Sequence, residues 1–308
     1  MVDIIYSIII PHKNSVDLLA ILLSSIPDTP DSEVLVIDDN SDVTCLEKLY
    51  NMNLNNNVRI FYSGKSEGAG KARNIGLGYA TGKWILFADS DDFFVEDMFS
   101  LLGAYKDSEA DIIYFYVNSI YLTTATAAYR HERYTRLVDD YLLCPSVNED
   151  KLRFYFTPPW GKMYRRSLLV EHQISFEEIL TGNDMMFSLK AAWAAKKIEA
   201  YRKILYTVTV SQGSLTTTMS KSHFESRFQA VLRCNDFLRN INKSRYQMSV
   251  LYFLMKSYRF GLCYICHVIG ELRKHRSNIF IGMKKIFVFN SVIRDRENAR
   301  FLIVNANQ

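Results

Sequence analysis

The sequence predicts an α/β protein with a mainly parallel sheet flanked by helices, and two observations support this. Short apolar runs that fit buried strands alternate with longer runs that fit helices along the N-terminal half of the chain. Polar or acidic residues also follow three of the apolar runs, where each strand would stop. Such alternation is typical of parallel strands joined by crossover helices. The carboxyl ends of those strands then meet at one edge of the sheet, where ligands bind in open α/β folds.

The predicted elements follow from this pattern. The strands are expected over residues 5–10, 33–38, 58–62, 84–88, 111–118 and about 199–210. Helices are expected over residues 15–25, 43–50, 70–80, 95–106 and about 183–196, with Gly82 closing the third helix as a C-cap residue. Residues 119–150 have weak periodicity and many Thr, Tyr and Arg residues, which predicts a variable loop region over the site.

The residue pattern of the chain changes after Ser220. Residues 222–242, 247–273 and 278–290 are helix-like and rich in Lys, Arg and aromatic residues. The sequence therefore predicts a main domain over residues 1–220 and a helical C-terminal extension over residues 221–308.

The composition limits the function classes. The chain has 308 residues, 48% of them hydrophobic, which suffices for a large core. A net charge of +4 is too weak to indicate a nucleic-acid partner. Five cysteines without paired spacing indicate free thiols in a reducing compartment, and the N-terminal residues lack the basic region of a signal peptide. We therefore expect a cytoplasmic location.

Three carboxylates follow the apolar run at 84–88: Asp89, Asp91 and Asp92. Close carboxylates repel one another unless a cation lies among them. Mg²⁺ or Mn²⁺ often bridges one or two carboxylates to substrate phosphates. The cluster therefore favours a site for a metal and a diphosphate, with Asp91 and Asp89 as ligands. An acidic turn that caps the next helix is the simpler interpretation, and this segment alone leaves both open.

Two other strand ends and one helix start supply further polar residues. Pro11-His12-Lys13-Asn14 follows the first strand, and Asp38-Asp39-Asn40-Ser41 follows the second. Ala72-Arg73-Asn74-Ile75-Gly76 lies just before the acidic strand. In a parallel sheet these groups converge on the edge that carries the three carboxylates.

In their order and spacing, these segments resemble the family 2 glycosyltransferases, which have the GT-A fold. The family pattern is Pro-x-Tyr-Asn, Val-Asp-Asp-x-Ser, Ala-Arg-Asn-x-Gly and then Asp-x-Asp at a strand end, matched here by Asp89-Ser90-Asp91. Further on, the residues at 160–166 resemble an Asn-Lys-Leu-Tyr-Arg segment and those at 181–187 a Glu-Asp-x-x-Phe acceptor segment. Gly213-Ser214-Leu215-Thr216 is similar to the family's closing Gly-Ser-x-Thr, so the resemblance covers residues 5–216.

The resemblance implies an inverting, non-processive glycosyltransferase. It would move a sugar from a nucleoside diphosphate sugar, expected to be a UDP-sugar, to a hydroxyl of a saccharide or lipid-linked saccharide in bacterial surface polysaccharide assembly. Asp184 matches the catalytic base, and Asp91 with Asp89 would hold Mn²⁺ or Mg²⁺. The residues expected to bind the nucleotide sugar are Pro11, His12, Lys13, Asn14, Asp39, Arg73, Asp89 and Ser90.

Three departures from the family pattern bear on this expectation. Lys13 replaces the Tyr expected to stack on the base, which leaves His12 or the Lys13 stem as substitutes. Asn183 replaces the Glu that precedes the catalytic Asp. The Gln-x-x-Arg-Trp segment of processive synthases is absent, which is why a non-processive enzyme is expected.

Two other functions stay open on the sequence. A non-catalytic nucleotide-sugar or carbohydrate-binding protein would keep Asp39 and Asp91 but would not need Asp184. A sugar-phosphate nucleotidyltransferase usually has a glycine-rich loop after the first strand, whereas residues 11–14 contain no glycine.

Other motif matches have simpler explanations. The residues around Gly70-Lys71 lack the first Gly and the final Ser or Thr of a P-loop. Cys263-Tyr264-Ile265-Cys266-His267 matches a haem attachment pattern, but buried core thiols on a helix are the better interpretation. Lys256 and Arg259 interrupt the apolar stretch 248–269, so a core helix is favoured over a membrane span. Basic residues follow closely, which leaves peripheral membrane contact through the C-terminal helices possible.

Overall fold

The structure is a computed structural model, and it describes residues 3–210 and 220–281. Contacts within the chain divide it into two compact units, Met1–Ala230 and Val231–Gln308. The division falls inside a helix, later in the chain than the boundary expected after residue 220.

The first unit is built on an eight-stranded sheet. Its strands are β1 Tyr6–His12, β2 Ser32–Asp38, β3 Val58–Tyr62, β4 Trp84–Phe87, β5 Phe93–Phe94, β6 Ile112–Tyr121, β7 Lys162–Arg165 and β8 Ile198–Val210. Their order across the sheet is β3-β2-β1-β4-β7-β6-β8-β5. Strands β3, β2, β1 and β4 run parallel, as do β6 and β8, whereas β7 is antiparallel to both neighbours and β5 to β8. The α/β prediction is confirmed, with a sheet that is mixed.

The helices flank this sheet. They are α1 Val16–Ser24, α2 Val43–Tyr50, α3 Ala69–Tyr79, α4 Met98–Gly103, α5 Glu132–Leu143, α6 Pro145–Tyr155, α7 Arg166–Glu171 and α8 Asn183–Ala194. Helix α9 Lys221–Asn240 follows and crosses the division between the two units. Every residue of β1, β2 and β4 is buried. Strands covered on both faces read as continuous apolar runs, which is why the sequence predicts them well.

The prediction of a loop over residues 119–150 is wrong. Strand β6 continues to Tyr121, and helices α5 and α6 follow. Helix α5 buries only Leu137 and Val138. Tyr134 and Tyr141 also pack against the core, so its apolar residues follow a helical period that the loop prediction missed.

The predicted role of Gly82 is also wrong. Helix α3 ends at Tyr79, and its C-cap residue, Ala80, is in an extended conformation. A Cβ at Gly82 would lie 2.7 Å from the backbone N and 2.8 Å from Oγ of Ser7. Glycine is therefore required because the chain passes close to the start of β1.

The second unit contains the end of α9 and two further helices, α10 Leu251–Lys256 and α11 Leu262–Lys274. The single helix predicted over residues 247–273 is interrupted at Gly261, whose φ of +92° suits glycine. The predicted helix over residues 278–290 lies mostly outside the described residues. Within residues 3–210 and 220–281, no helix is long and apolar enough to cross a membrane.

Helix α11 does not bury its two cysteines. Cys263 and Cys266 are exposed free thiols, so their prediction as core thiols is wrong. The buried face of this helix carries Tyr264, Val268 and Leu272 instead. These three buried residues are spaced four apart, as one face of a helix requires, and the two cysteines lie outside that face.

Candidate functional site

The ends of β1 and β2 are joined by a buried polar network. His12 Nδ1 lies 2.9 Å from Asp38 Oδ1, and the Ser15 backbone N–H donates to His12 Nε2 at 3.2 Å. Because Nε2 accepts, Nδ1 carries the proton and donates to Asp38. The Ser41 backbone N–H and hydroxyl also donate to Asp38, at 2.9 and 2.5 Å. The His12 ring is thus 1% exposed and holds the two strand ends together.

Asp39 lies just beyond this network and contacts the segment that leads into α3. Its carboxylate accepts from the backbone N–H groups of Glu67 at 2.8 Å and Gly68 at 3.0 Å, and from the Ser66 hydroxyl at 3.1 Å. The Lys13 ammonium binds the same hydroxyl and lies 3.9 Å from Asp39 Oδ2. Asp39 therefore fixes this segment across the end of the sheet.

The remaining residues of the first strand end are close by. The Asn14 backbone N–H donates to Ser41 Oγ at 2.8 Å, and its side-chain oxygen accepts from the Asp42 backbone N–H at 2.8 Å. The hydroxyls of Ser15 and Ser90 lie 2.9 Å apart, which joins the segment after β1 to the acidic turn after β4. Pro11 is buried in the register of β1 with β2.

The three carboxylates after β4 have different environments. Asp92 is buried and accepts from the Thr209 backbone N–H at 2.7 Å. Burial, reinforced by the charges of Asp89 and Asp91, raises the pKa of Asp92 well above its usual range. The Asp91 side chain reaches solvent, but neighbouring protein atoms remove part of its hydration, and this raises its pKa. The negative charge of Asp89 raises the pKa of Asp91 further. A cation at this turn would relieve that repulsion.

Arg73 connects the acidic turn to the start of α8. Its guanidinium donates to Asp89 Oδ1 at 2.5 Å and to the Asn183 side-chain oxygen at 3.0 Å, and it lies 5.3 Å from the ring centre of Phe176. The substitution of Asn for Glu at position 183 thus keeps an acceptor for Arg73 without a second negative charge. Arg73 Nε is buried without a hydrogen-bond partner among the described atoms.

Gly70 allows α3 to approach the segment that carries Asn183. A Cβ at Gly70 would lie 2.2 Å from the backbone oxygen of Glu177 and 3.0 Å from Cβ of Asn183. The sequence motif around Arg73 therefore needs glycine at this position for packing, which is a different role from phosphate binding in a P-loop.

Asp184 lies in the first turn of α8, which places it at the positive end of the helix dipole. Within the described part of the chain, no other residue donates a hydrogen bond to its carboxylate, and its own backbone N–H does. Burial raises its pKa; the charges of Arg73 and Arg227 oppose this rise, and Asp89 reinforces it. The electrostatic influence of Asp89 shows that the acidic turn and Asp184 face one region. A partly buried carboxylate with a raised pKa is suited to accept a proton near neutral pH.

Lys162 is a residue of the site region whose environment the sequence does not predict. It begins β7 and is 2% exposed, and its ammonium donates to the backbone oxygen of Phe156 at 2.5 Å. Aromatic rings surround it at 4.6–5.7 Å, namely those of Tyr114, Phe156 and Tyr164. Burial lowers the pKa of Lys162 well below its usual range. The sequence marks Lys162 only through the resemblance of residues 160–166 to the Asn-Lys-Leu-Tyr-Arg segment, which does not indicate that the lysine is buried.

We expect the free energy of unfolding to rise with pH on the alkaline side of neutrality because of Lys162. The unfolded chain protonates this lysine with an ordinary pKa of about 10.4, whereas the folded chain resists protonation. Between the two pKa values the unfolded state binds more protons, so raising the pH stabilises the folded state. Lys162→Met should remove this part of the slope in urea unfolding measured from pH 7 to 9. An equal slope in both proteins would show that Lys162 is charged in the fold.

A divalent metal fits the acidic turn if it binds together with a diphosphate. Among the described residues, no group of three His, Cys, Asp or Glu side chains can enclose a metal. Asp91 is exposed, and Asp89 uses one carboxylate oxygen for Arg73. Mg²⁺ commonly takes one or two carboxylates and completes its shell with water and substrate phosphates. This donor set suits such shared binding.

The chain belongs to glycosyltransferase family 2. The model of that family, described as "Glycosyl transferase family 2", matches residues 7–172, which include β1 to β4 and the acidic turn. The fold is GT-A, as the solved structures below show.

Individual proteins are similar to this chain over parts of their length. The poly(ribitol-phosphate) β-N-acetylglucosaminyltransferase TarS of Staphylococcus aureus is 29% identical over 217 residues, which are 68% of this chain and 36% of TarS. The crystal structure of TarS 1–349 from S. aureus in complex with UDP-GlcNAc matches with a TM-score of 0.65 at 20% identity, covering 88% of this chain and 81% of that one. A mannosyltransferase from Pyrobaculum calidifontis in complex with GDP-Man and Mn²⁺ matches with a TM-score of 0.51 at 14% identity, covering 93% and 79%. The chain spans about a third of the length of the first curated relatives it matches.

Proposed function

We propose that this protein transfers a sugar from a UDP-sugar to a hydroxyl of a saccharide or lipid-linked saccharide, with inversion, in bacterial surface polysaccharide assembly. The observation that carries the proposal is the placement of Asp184. No other described residue donates a hydrogen bond to its carboxylate, and the negative charge of Asp89 in the acidic turn raises its pKa. A base facing a diphosphate site is what sugar transfer to a hydroxyl requires. Family membership and the similarity to TarS support the same reaction.

The donor would lie along the ends of β1, β2 and β4. Asp39 would accept a hydrogen bond from the base or the ribose. The nucleotide would either share the carboxylate with residues 66–68 or displace them from it. The Lys13 stem is the remaining substitute for base stacking, since the His12 ring is buried. Ser90 and Asn14 would shape the ribose and diphosphate region, and Pro11 and His12 would hold the strand ends in place.

A divalent metal, Mn²⁺ or Mg²⁺, would be held by Asp91 with help from Asp89. When bound, it would supply charge neutralisation for the departing diphosphate. Arg73 keeps Asp89 in position and would add a positive charge beside the departing diphosphate.

The acceptor hydroxyl would lie between Asp184 and the anomeric carbon. Its oxygen bonds to that carbon while the bond from carbon to the diphosphate oxygen breaks, and the hydroxyl proton passes to Asp184. UDP leaves with the bonding electrons. A single displacement of this kind inverts the configuration at the anomeric carbon, because attack and departure occur on opposite faces.

The proposed activity is tested by following two products from a panel of UDP-sugars. A transferase releases UDP and forms a glycosylated acceptor, whereas a nucleotidyltransferase releases pyrophosphate. A binding protein consumes no sugar nucleotide. Pyrophosphate release, or binding without UDP formation under all acceptor and metal conditions, would contradict the proposal.

We expect Asp39→Ala to weaken UDP binding about tenfold and to reduce the preference for UDP over CDP. Uracil has an imide N–H that can donate a hydrogen bond to a carboxylate, whereas cytosine has no such donor. Calorimetric titration with both nucleotides measures the preference. Ser66→Ala is the matched control, since it removes one contact of Asp39 and keeps the carboxylate. Equal losses for UDP and CDP in Asp39→Ala would indicate ribose contact or a disturbed segment instead.

We also propose a cytoplasmic location with peripheral contact at the inner face of the membrane. The second unit exposes Tyr258, Leu262 and Phe280 together with basic residues such as Arg259. Neutralising Lys274 and Arg276, together with Lys284 and Lys285, which lie outside the described residues, should reduce co-sedimentation with anionic vesicles. Failure of the wild type to bind such vesicles at low salt would refute membrane contact.

A further inference from the structure

The start of α5 lies at the same sheet edge as the acidic turn. Ser119 of β6 is paired with Val208 of β8, and its hydroxyl lies 2.8 Å from His131 Nδ1. The next residue of β8, Thr209, donates its backbone N–H to Asp92 at 2.7 Å. Neighbouring positions of one strand therefore hold both the acidic turn and the segment around His131. This places Arg130, beside His131, next to the acidic turn.

Helix α9 brings another arginine to the start of α8. The Thr181 backbone N–H donates to Ser226 Oγ at 3.0 Å, and Ser226 Oγ donates to the Thr181 backbone oxygen at 3.3 Å. These bonds fix the first turns of α9 beside the segment that leads to Asp184. Arg227 follows Ser226 directly, and its charge acts on Asp184.

Tyr134 lies within range of the charges of these arginines. Its ring packs at 5.1 Å from the ring of Trp160, and the guanidinium of Arg133 lies 5.8 Å from its ring centre. The charges of Arg130 and Arg227 also act on its phenol. The charges of three arginines, from α9 and from the start of α5, thus act on one aromatic side chain, and Arg227 Cγ lies 4.0 Å from where a Cβ at Gly182 would be, two residues before the proposed base. We call Arg130, Arg133 and Arg227 the arginine rim.

The arginine rim forms no salt bridge among the described residues, although the charge of Arg130 acts on Asp91 and that of Arg227 on Asp184. All three side chains are exposed, and no salt bridge to any of them is found in residues 3–210 and 220–281. Several other arginines of the same unit are paired with carboxylates, for example Arg59 with Glu33 and Arg202 with Asp139. Guanidinium groups near one another repel, and a bound anion removes that repulsion. Their planar donors match phosphate oxygens particularly well.

We infer that the arginine rim is an acceptor subsite for phosphodiester groups, so that the acceptor is a phosphodiester polymer with the reacting hydroxyl between phosphates. The inference rests on the proposed function, because it assigns the acceptor of that same site. The donor diphosphate already has Arg73 and the metal-binding carboxylates as its expected partners. Three further cations spread over α9 and the start of α5 suit repeated negative charges better than a single phosphate.

The inference is tested by fluorescence anisotropy with a labelled ribitol-phosphate oligomer. The wild type should bind it, and binding should weaken as salt screens the charges. Arg130→Gln, Arg133→Gln and Arg227→Gln should each weaken binding about tenfold. A neutral oligosaccharide of equal length should bind equally to all variants. Equal or tighter binding of a polyuronate oligomer, which carries carboxylates, would overturn the assignment to phosphodiesters.

Two further measurements separate the possible failures. Lys106→Gln removes one positive charge near the start of β4, at the opposite edge of the sheet, and should leave oligomer binding unchanged. Calorimetry of UDP with Mn²⁺ should give the wild-type affinity in all rim variants. If the rim variants lose UDP binding instead, the arginines serve the donor and the inference is wrong. If the wild type binds the oligomer but no nucleotide, the proposed function fails while the anionic subsite stands.

Discussion

Replacing Asp184 with asparagine should reduce sugar transfer about 10²–10⁴-fold and leave UDP binding near the wild-type value. Asparagine keeps the size and polarity of the side chain but cannot take the proton of the acceptor hydroxyl. Within the described residues the carboxylate accepts a hydrogen bond only from its own backbone N–H, which the amide oxygen of asparagine can also accept, so the fold should tolerate the change. Single-turnover transfer and calorimetry of UDP measure the two properties separately.

The pH dependence gives a second test of Asp184. A general base acts in its deprotonated form, and burial raises the pKa of this carboxyl. Transfer should therefore decline as the pH falls through a pKa above that of an ordinary aspartate, and this step should vanish in Asp184→Asn.

Glu178→Gln is the matched control for the base. Hydrogen bonds from Asn74 and Lys71 lower the pKa of Glu178, which makes it a weaker base. We expect the Glu178→Gln variant to retain most of the wild-type transfer activity. Nearly full transfer by Asp184→Asn would place the base elsewhere, and loss of activity in Glu178→Gln would identify it.

Replacing Asp91 with asparagine should abolish the part of UDP binding that depends on Mn²⁺ or Mg²⁺. Loss of a group that only orients a metal ligand costs about 10–100-fold in metal affinity, and loss of a ligand should cost at least as much. Calorimetry of UDP with and without metal measures the difference, which should disappear in the variant. Unchanged affinity for UDP in the presence of Mn²⁺ would show that Asp91 is not a metal ligand.

The folded state of this variant provides its own control. Lost hydration and the charge of Asp89 raise the pKa of Asp91, so its negative charge disfavours folding at neutral pH. Asp91→Asn should thus unfold at the same temperature as the wild type or higher. Asp97→Asn, at the next exposed aspartate along the chain, should leave metal-dependent binding intact.

The parts of the fold that the sequence predicts share a physical cause. Strands β1, β2 and β4 are buried on both faces, so each is a continuous apolar run whose end is marked by polar residues. In contrast, β7 has four residues and begins with Lys162, so nothing in its composition marks a strand. Helix α5 carries core-facing residues at a helical spacing, but the Thr, Arg and Asp residues between them make the segment resemble a loop.

The site shows a similar division. The sequence predicts that Asp39, Arg73 and Asp91 reach one edge of the sheet. It does not show that Arg73 joins Asp89 to Asn183, since that bond spans 110 positions of the chain. Nor does it predict the inward turn of Asp92 or the network that buries His12, because both depend on contacts between separate strands.

The most direct test of the central claim is a thermal-shift panel of nucleoside diphosphate sugars with Mn²⁺ or Mg²⁺. A ligand that binds only the folded chain at 100 times its Kd adds about 2.7 kcal/mol to the free energy of unfolding. For a protein of this size, we expect a UDP-sugar with metal to raise the unfolding midpoint by about 5 °C. The rise should be absent in Asp91→Asn. A panel in which no nucleotide sugar shifts the midpoint of the wild type would contradict the account.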